Sequence, residues 1–284
     1  MPYFYNESAP SSDLACERYR ADLNDDGVHY EKEACAGGFW ERIEISSVSG
    51  AKSIGRPMGY YDTLNLEPFH RLDGDGIRLA SNEIAVELSM LVDKMHITPK
   101  RLLVVGLGNP MLTPDSVGAR CVRGVRATMH IKNMDEELFD SLACSEIVAI
   151  APGVRSESGI DASVQVLGIC DRIKPNAVIA IDALTALSGE RLGRTVQLSS
   201  TGIIPGSGVG NHSAALDEDS LGVPVISVGV PTVISASRFC RDFNSENETY
   251  GDSMLVAPRE IDDISRVSGD IISGGINLAF GICT

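Results

Sequence analysis

Residues 102–118 read Leu102-Leu103-Val104-Val105-Gly106-Leu107-Gly108-Asn109-Pro110-Met111-Leu112-Thr113-Pro114-Asp115-Ser116-Val117-Gly118. The four apolar residues at the front predict a strand buried on both faces. Gly106, Gly108 and Asn109 then let the backbone turn sharply at the strand's carboxyl end. In an open α/β sheet the crevice beyond the strand ends is where ligands bind, and Asp115 is delivered there. Two readings of Asp115 stand at this point. It is an N-cap for the helical stretch that follows, or an acid placed for chemistry.

A second strand of the same kind, Ala177-Val178-Ile179-Ala180-Ile181-Asp182-Ala183, also ends in an acid. Around these two, residues 77–95 predict an amphipathic helix with Ile84, Leu88 and Leu91 inward and Glu83, Glu87 and Lys94 outward. Helical stretches follow at 115–130, 162–173, from 231, and 258–280, with Gly269, Gly274 and Gly275 weakening the last. Further strands are expected at 39–48, 147–151, 195–198 and 224–230. Strands alternating with helices predict an α/β fold, a three-layer sandwich around a mostly parallel central sheet. Residues 1–37 are polar and read as a flexible or loosely docked leader.

The 284 residues carry a net charge of −15, which argues against a nucleic-acid-binding surface. No apolar run approaches the roughly 20 residues needed to span a bilayer, and no secretory signal is visible. The seven cysteines show neither Cys-x-x-Cys pairs nor zinc-ligand spacing, as expected of reduced thiols in a cytoplasmic protein.

Asp115 and Asp182 are the candidate catalytic residues. Two carboxylates brought close together cannot both ionise cheaply, so one holds a proton. Such a pair can activate water with one member and protonate a leaving amine with the other. The same pair could hold a divalent cation, with His212 as a third ligand. The alternative for Asp182 is a buried hydrogen bond to the backbone of the glycine-dense loop 205–211. That loop, with Gly206, Ser207, Gly208, Gly210 and Asn211, could also present N–H groups to a reacting carbonyl. No Gly-x-Ser-x-Gly elbow and no His-Glu-x-x-His motif is present.

Gly106-Leu107-Gly108-Asn109-Pro110 resembles the opening of bacterial peptidyl-tRNA hydrolases, but Asp115 stands where that family has a histidine segment. The glycine turn followed by an acid and Val-Gly also resembles hydrogenase-maturation endopeptidases. The fullest resemblance is to the germination proteases of bacterial spores. It runs in order through Val104-Val105-Gly106-Leu107-Gly108-Asn109, Thr113-Pro114-Asp115, Ala151-Pro152-Gly153-Val154, and Ile179-Ala180-Ile181-Asp182-Ala183-Leu184. It continues through Thr201-Gly202-Ile203-Ile204-Pro205-Gly206-Ser207-Gly208-Val209-Gly210-Asn211 and Gly229-Val230-Pro231-Thr232-Val233.

That resemblance implies a fold like the hydrogenase-maturation proteases and essential acids at Asp115 and Asp182. It implies an aspartic-type endopeptidase that degrades small acid-soluble spore proteins in the spore core, with no obligatory cofactor, as a homotetramer. It further implies a zymogen that clips its own leader at an acid–aliphatic–Ala site. Asp13-Leu14-Ala15 fits, predicting a propeptide of residues 1–13 and a single domain over 14–284. The segment after Val233 is shorter than the family pattern. His212-Ser213-Ala214-Ala215 replaces a basic run. Both departures bear on substrate affinity and oligomeric packing.

Overall fold

The computed structural model describes residues 12–20, 27–206, 214–242 and 254–282. In chain order the first half forms β1 (Val28–Cys35), β2 (Gly38–Ile45), α1 (Val48–Ile54), β3 (Gly59–Leu66), α2 (Gly74–Lys94), β4 (Arg101–Gly106), α3 (Val117–Gly124), α4 (Met129–Met134), α5 (Glu136–Ser141) and β5 (Glu146–Ile150). The second half forms α6 (Arg155–Ser158), α7 (Ala162–Ile173), β6 (Ala177–Ala186), β7 (Thr195–Ser199), α8 (Glu218–Leu221), β8 (Val225–Ser235), α9 (Ala236–Asp242), β9 (Leu255–Val256) and α10 (Ile261–Phe280).

The sheet has the order β1-β2-β3-β7-β8-β6-β4-β5, with β9 pairing β8. The half carrying β8, β6, β4 and β5 is parallel, because each of those strands returns through a crossover. The other half is antiparallel. Its first strands follow one another directly, β1 and β2 separated by only Ala36 and Gly37. Short connections of this kind can only make antiparallel neighbours.

Along β4 the side chains alternate between two cores. Leu102 and Val104 pack on the layer of α2, α3 and α10. Leu103 and Val105 face Val166 and Cys170 of α7 and Leu221 of α8. A strand covered on both faces must be apolar throughout, and this is the run that opens the chain's central motif. The glycines of α10 prove to be packing residues rather than weak points. A Cβ on Gly275 would lie 2.5 Å from Ile84 Cγ2, so the glycine lets α10 cross α2 closely.

Several expectations need correction. Residues 28–35 form the edge strand β1, and residues 12–16 are buried, so much of the expected leader belongs to the folded body. Pro231 lies inside β8, not at the start of a helix. The strand tolerates it because the β6–β8 register shifts between Leu184 and Thr185, next to Pro231's partner position. Glu87 lies buried against the sheet, not on the outer face of α2. Six cysteines lie among the described residues and all are free thiols; Cys283 lies outside them. Among the described residues no helix is long and apolar enough to cross a membrane.

Candidate active site

Beyond the carboxyl end of β4 the chain turns at Gly108, whose φ of +91° is open to glycine. A Cβ there would lie 2.1 Å from the Asp115 carbonyl oxygen. The absence of a side chain therefore lets the 3₁₀ turn Thr113–Asp115 fold back over the strand end. The turn is pinned from behind by Ser265 of α10, whose hydroxyl donates to the Thr113 carbonyl at 2.9 Å. Asp115 does not cap α3, whose N-cap is Ser116. Its Oδ2 instead accepts the Asn109 N–H at 2.8 Å, closing the loop on itself.

Asp182 sits within β6 opposite Gly229 of β8 and is 4% exposed. Its Oδ1 accepts the N–H of Ala183 at 2.9 Å, and the Gly206 N–H also faces the carboxyl. Burial raises its pKa well above the ordinary carboxylate value, and the charge of Asp115 raises it further. Burial also raises Asp115, with the Asn109 N–H pulling the other way. Among the described residues neither carboxylate makes a salt bridge. Both line one cleft of about 350 Å³, together with Asp13, Gly108, Gly206 and Thr232. The Thr232 hydroxyl, fully buried, has no hydrogen-bond partner among the described residues.

Of the residues expected in the glycine loop, Gly206 faces Asp182, which is the backbone contact anticipated as the alternative role of that acid. Ser207, Gly208, Gly210, Asn211 and His212 lie outside the described residues. Among the described residues no group of three His, Cys, Asp or Glu side chains is placed to hold a metal ion. The described part of the site thus offers the carboxylates of Asp115 and Asp182 at one cleft.

Asp13, which lines the cleft, belongs to a segment, residues 12–17, that is held against the folded body. The Asp13 N–H donates to the Thr185 carbonyl at 3.0 Å, and the Thr185 N–H donates to Asp13 Oδ2 at 2.9 Å. The Asp13 Oδ1 lies 3.5 Å from the Arg56 guanidinium, which also donates to the Ser12 carbonyl. Leu14 and Ala15 are fully buried in a socket of Ile43, Ile45, Ile54, Tyr61, Leu184 and Ala186. Glu17 is held by the N–H groups of Leu187 and Ser188 at 2.7 and 2.9 Å.

Gln197 of β7 joins this grip: Ala15 N–H donates to its Oε1 at 2.8 Å, and its Nε2 donates to the Asp13 carbonyl at 3.0 Å. Sequence reasoning missed Gln197. The signal was present in Thr195-Val196-Gln197-Leu198-Ser199, whose alternation marks one polar face, but polar alternation ordinarily faces water. Here Thr195, Gln197 and Ser199 are all buried.

Compared with known proteins, the chain matches the family model described as germination protease over residues 12–245. The chain belongs to the germination protease family. The germination protease of Clostridium perfringens is 33% identical over 312 aligned residues, covering 94% of each chain. That of Caldanaerobacter subterraneus is 35% identical, over 89% of this chain and 88% of the other. That of Bacillus subtilis is 37% identical, over 84% of this chain and 66% of the other. Family membership makes the chain a protease, a hydrolase of germination. A solved nickel–iron hydrogenase maturation protease from Thermococcus kodakarensis aligns with a TM-score of 0.37 at 15% identity, covering 66% of this chain and 96% of that one.

Proposed function

We propose that the chain is the endopeptidase that begins degradation of small acid-soluble spore proteins at germination. It is made as a zymogen that removes its own residues 1–13 by cutting between Asp13 and Leu14. The observation that carries this reading is the seating of residues 12–17, which puts Asp13 in the cleft with its carboxylate beside Arg56 and seals Leu14 and Ala15 in an apolar socket. An acid, an aliphatic residue and Ala are thus accommodated in that order. Spore-protein substrates presenting an acid before Leu or Ile and then Ala would fill the same places. The motif-like Glu83-Ile84-Ala85 lies within α2, where the backbone is not free to enter a cleft.

Asp182, the more deeply buried acid and the one raised further by its neighbour, is the member of the pair that holds the proton, and Asp115 the member that carries the charge. The Asp115 carboxylate takes a proton from water as the water oxygen bonds to the Asp13 carbonyl carbon. Asp182 gives its proton to the Leu14 nitrogen as the Asp13–Leu14 bond breaks. The resting pair regains its charge state when the proton on Asp115 passes back to Asp182. In the same reading the protein acts in the spore core as a homotetramer and without a metal.

The test is incubation of the purified full chain, alone and with a small acid-soluble spore protein, with and without chelator, reading cleavage sites by mass. The expected result is a new amino terminus at Leu14 and substrate cuts after acids, both insensitive to chelator. A mature terminus elsewhere refutes the self-processing site. Activity abolished by chelator and restored by a divalent cation assigns the acids to metal-assisted chemistry instead.

A further inference from the structure

We infer that Gln197 is the donor that stabilises the oxyanion formed from the Asp13 carbonyl, a role resting on the reading that the Asp13–Leu14 bond is the one cut. A peptide carbonyl attacked by water becomes a tetrahedral oxyanion, and the group that stabilises it must already point at that oxygen. Gln197 Nε2 lies 3.0 Å from the Asp13 carbonyl oxygen, within the distance such donors use.

The orientation of the amide is enforced rather than chosen. The Ala15 N–H can only donate, so the Gln197 atom 2.8 Å from it is the amide oxygen. The other end, which faces the Asp13 carbonyl, is therefore the NH₂ group. One planar amide thereby spans the peptide bond on either side of Leu14 and fixes the register of the segment.

The side chain is 6% exposed, so little water competes for the donor. Its backbone is held between strands, with Gln197 opposite Thr63 of β3 and Gly229 of β8. Gly229 is the residue that also registers with Asp182 across β8. The amide and the buried acid are thus set on strands flanking one position of β8, a rigid base that holds both without loop movement.

The test is the first-order rate of self-processing in the full chain, in which the segment is already seated and binding does not limit the reading. Gln197→Glu keeps an acceptor for the Ala15 N–H and replaces the donor by a carboxylate. At pH 7.5 its processing should fall about 10²–10³-fold. The ratio of variant to parent rate should then recover as the pH drops through the range in which a glutamate protonates, because a carboxyl O–H donates again. Gln197→Met, similar in shape and without a donor at any pH, should be slow throughout.

A pH-independent ratio, with Glu and Met variants equally impaired, overturns the donor role and leaves Gln197 a structural clamp. Parent-like rates in both overturn it outright. Melting temperatures within about 5 °C of the parent establish that the variants are folded. A variant that melts lower is replaced by Gln197→Asn, expected to be slow at every pH because its shorter arm cannot reach the carbonyl; a parent-like rate in Gln197→Asn overturns the role.

Asp182→Asn serves as the separate control. If it processes normally, the assignment of the acids fails. If it is inactive while Gln197→Glu is normal, only the inference about Gln197 fails. A parent chain that stays intact from pH 5 to 8 removes the self-processing reading and this inference with it.

Discussion

Asp62 and Asp182 occupy the same sheet, are 1% and 4% exposed, and each is raised above the ordinary carboxylate pKa by burial first and a neighbouring carboxylate second. Their surroundings are nevertheless opposite. Asp62, on β3, faces Glu87 of α2, and that pair is answered by cations. Arg42 holds Glu87 through two hydrogen bonds of 3.0 and 2.6 Å, and Lys94 stands 3.7 Å from Asp62. Among the described residues, Asp182 and Asp115 receive only backbone N–H groups. In the antiparallel half, buried charge is matched as a structural network must be. At Asp182 and Asp115, by contrast, no cation stands against the carboxylates among the described residues and both open to a cleft, which is where chemistry profits from a displaced proton.

Each side of this comparison can be broken separately. The largest expected effect is on activity: Asp182→Asn and Asp115→Asn should each lower self-processing by 10³-fold or more, as counted by amino-terminal sequencing over time. The sign of the stability change should be reversed for Asp182. A carboxyl whose folded pKa is raised contributes stability that is complete below its unfolded value and is lost as pH rises through the folded one. Asp182→Asn removes that loss, so at neutral pH the variant should melt above the parent, by about 1 kcal/mol in stability. A lower melting temperature for Asp182→Asn would mean that the acid is paired in a way the hydrogen bonds above do not record.

Glu87→Ala should do the reverse. It takes from Arg42, whose side chain is 14% exposed, the buried carboxylate that holds it, leaving the exposed Glu33 as its remaining salt-bridge partner among the described residues. The expected cost is about 3 kcal/mol, or roughly 10 °C in melting temperature by calorimetry. The rate of self-processing measured well below that temperature should be unchanged.

The smallest effect is a pH dependence. Asp62 is pushed up to about 7. Its contribution is therefore full below the ordinary carboxylate value and lost as pH rises through about 7. Melting curves from pH 5 to 9 should decline over the lower part of that range and level off above about 7, and Asp62→Asn should flatten part of the decline. An unchanged slope removes Asp62 as its source.

The parallel half was legible because physics leaves it few options. A strand covered on both faces must be apolar end to end, so β4 and β6 stand out, and the acids at their ends are conspicuous by position. The antiparallel half was not. β1, Val28-His29-Tyr30-Glu31-Lys32-Glu33-Ala34-Cys35, is an edge strand with charged side chains, and such composition is shared with unstructured chain. Glu87 followed the helical period of its neighbours only in the sense of facing the sheet. Its type concealed its burial, since the partner that permits it, Arg42, lies 45 residues away.

Gln197 was hidden for the same reason, since the segment that buries it lies more than 180 residues earlier. The candidate acids could be named from local patterns. The residues that grip the segment could be named only after long-range pairing was known.

The seat of Leu14 carries one further consequence. On the proposed self-processing, a cut before Leu14 would release residues 1–13 but leave Leu14, Ala15 and Glu17 covalently joined to β1 by only the residues up to Val28. The departing half diffuses away, whereas the remaining half stays at an effective concentration that for short tethers is in the millimolar range. The newly matured protein is then occupied by its own tethered product, and any other chain must displace it. Maturation and full activity become two events separated by a competition, and the second is visible as a lag that shortens as substrate concentration rises.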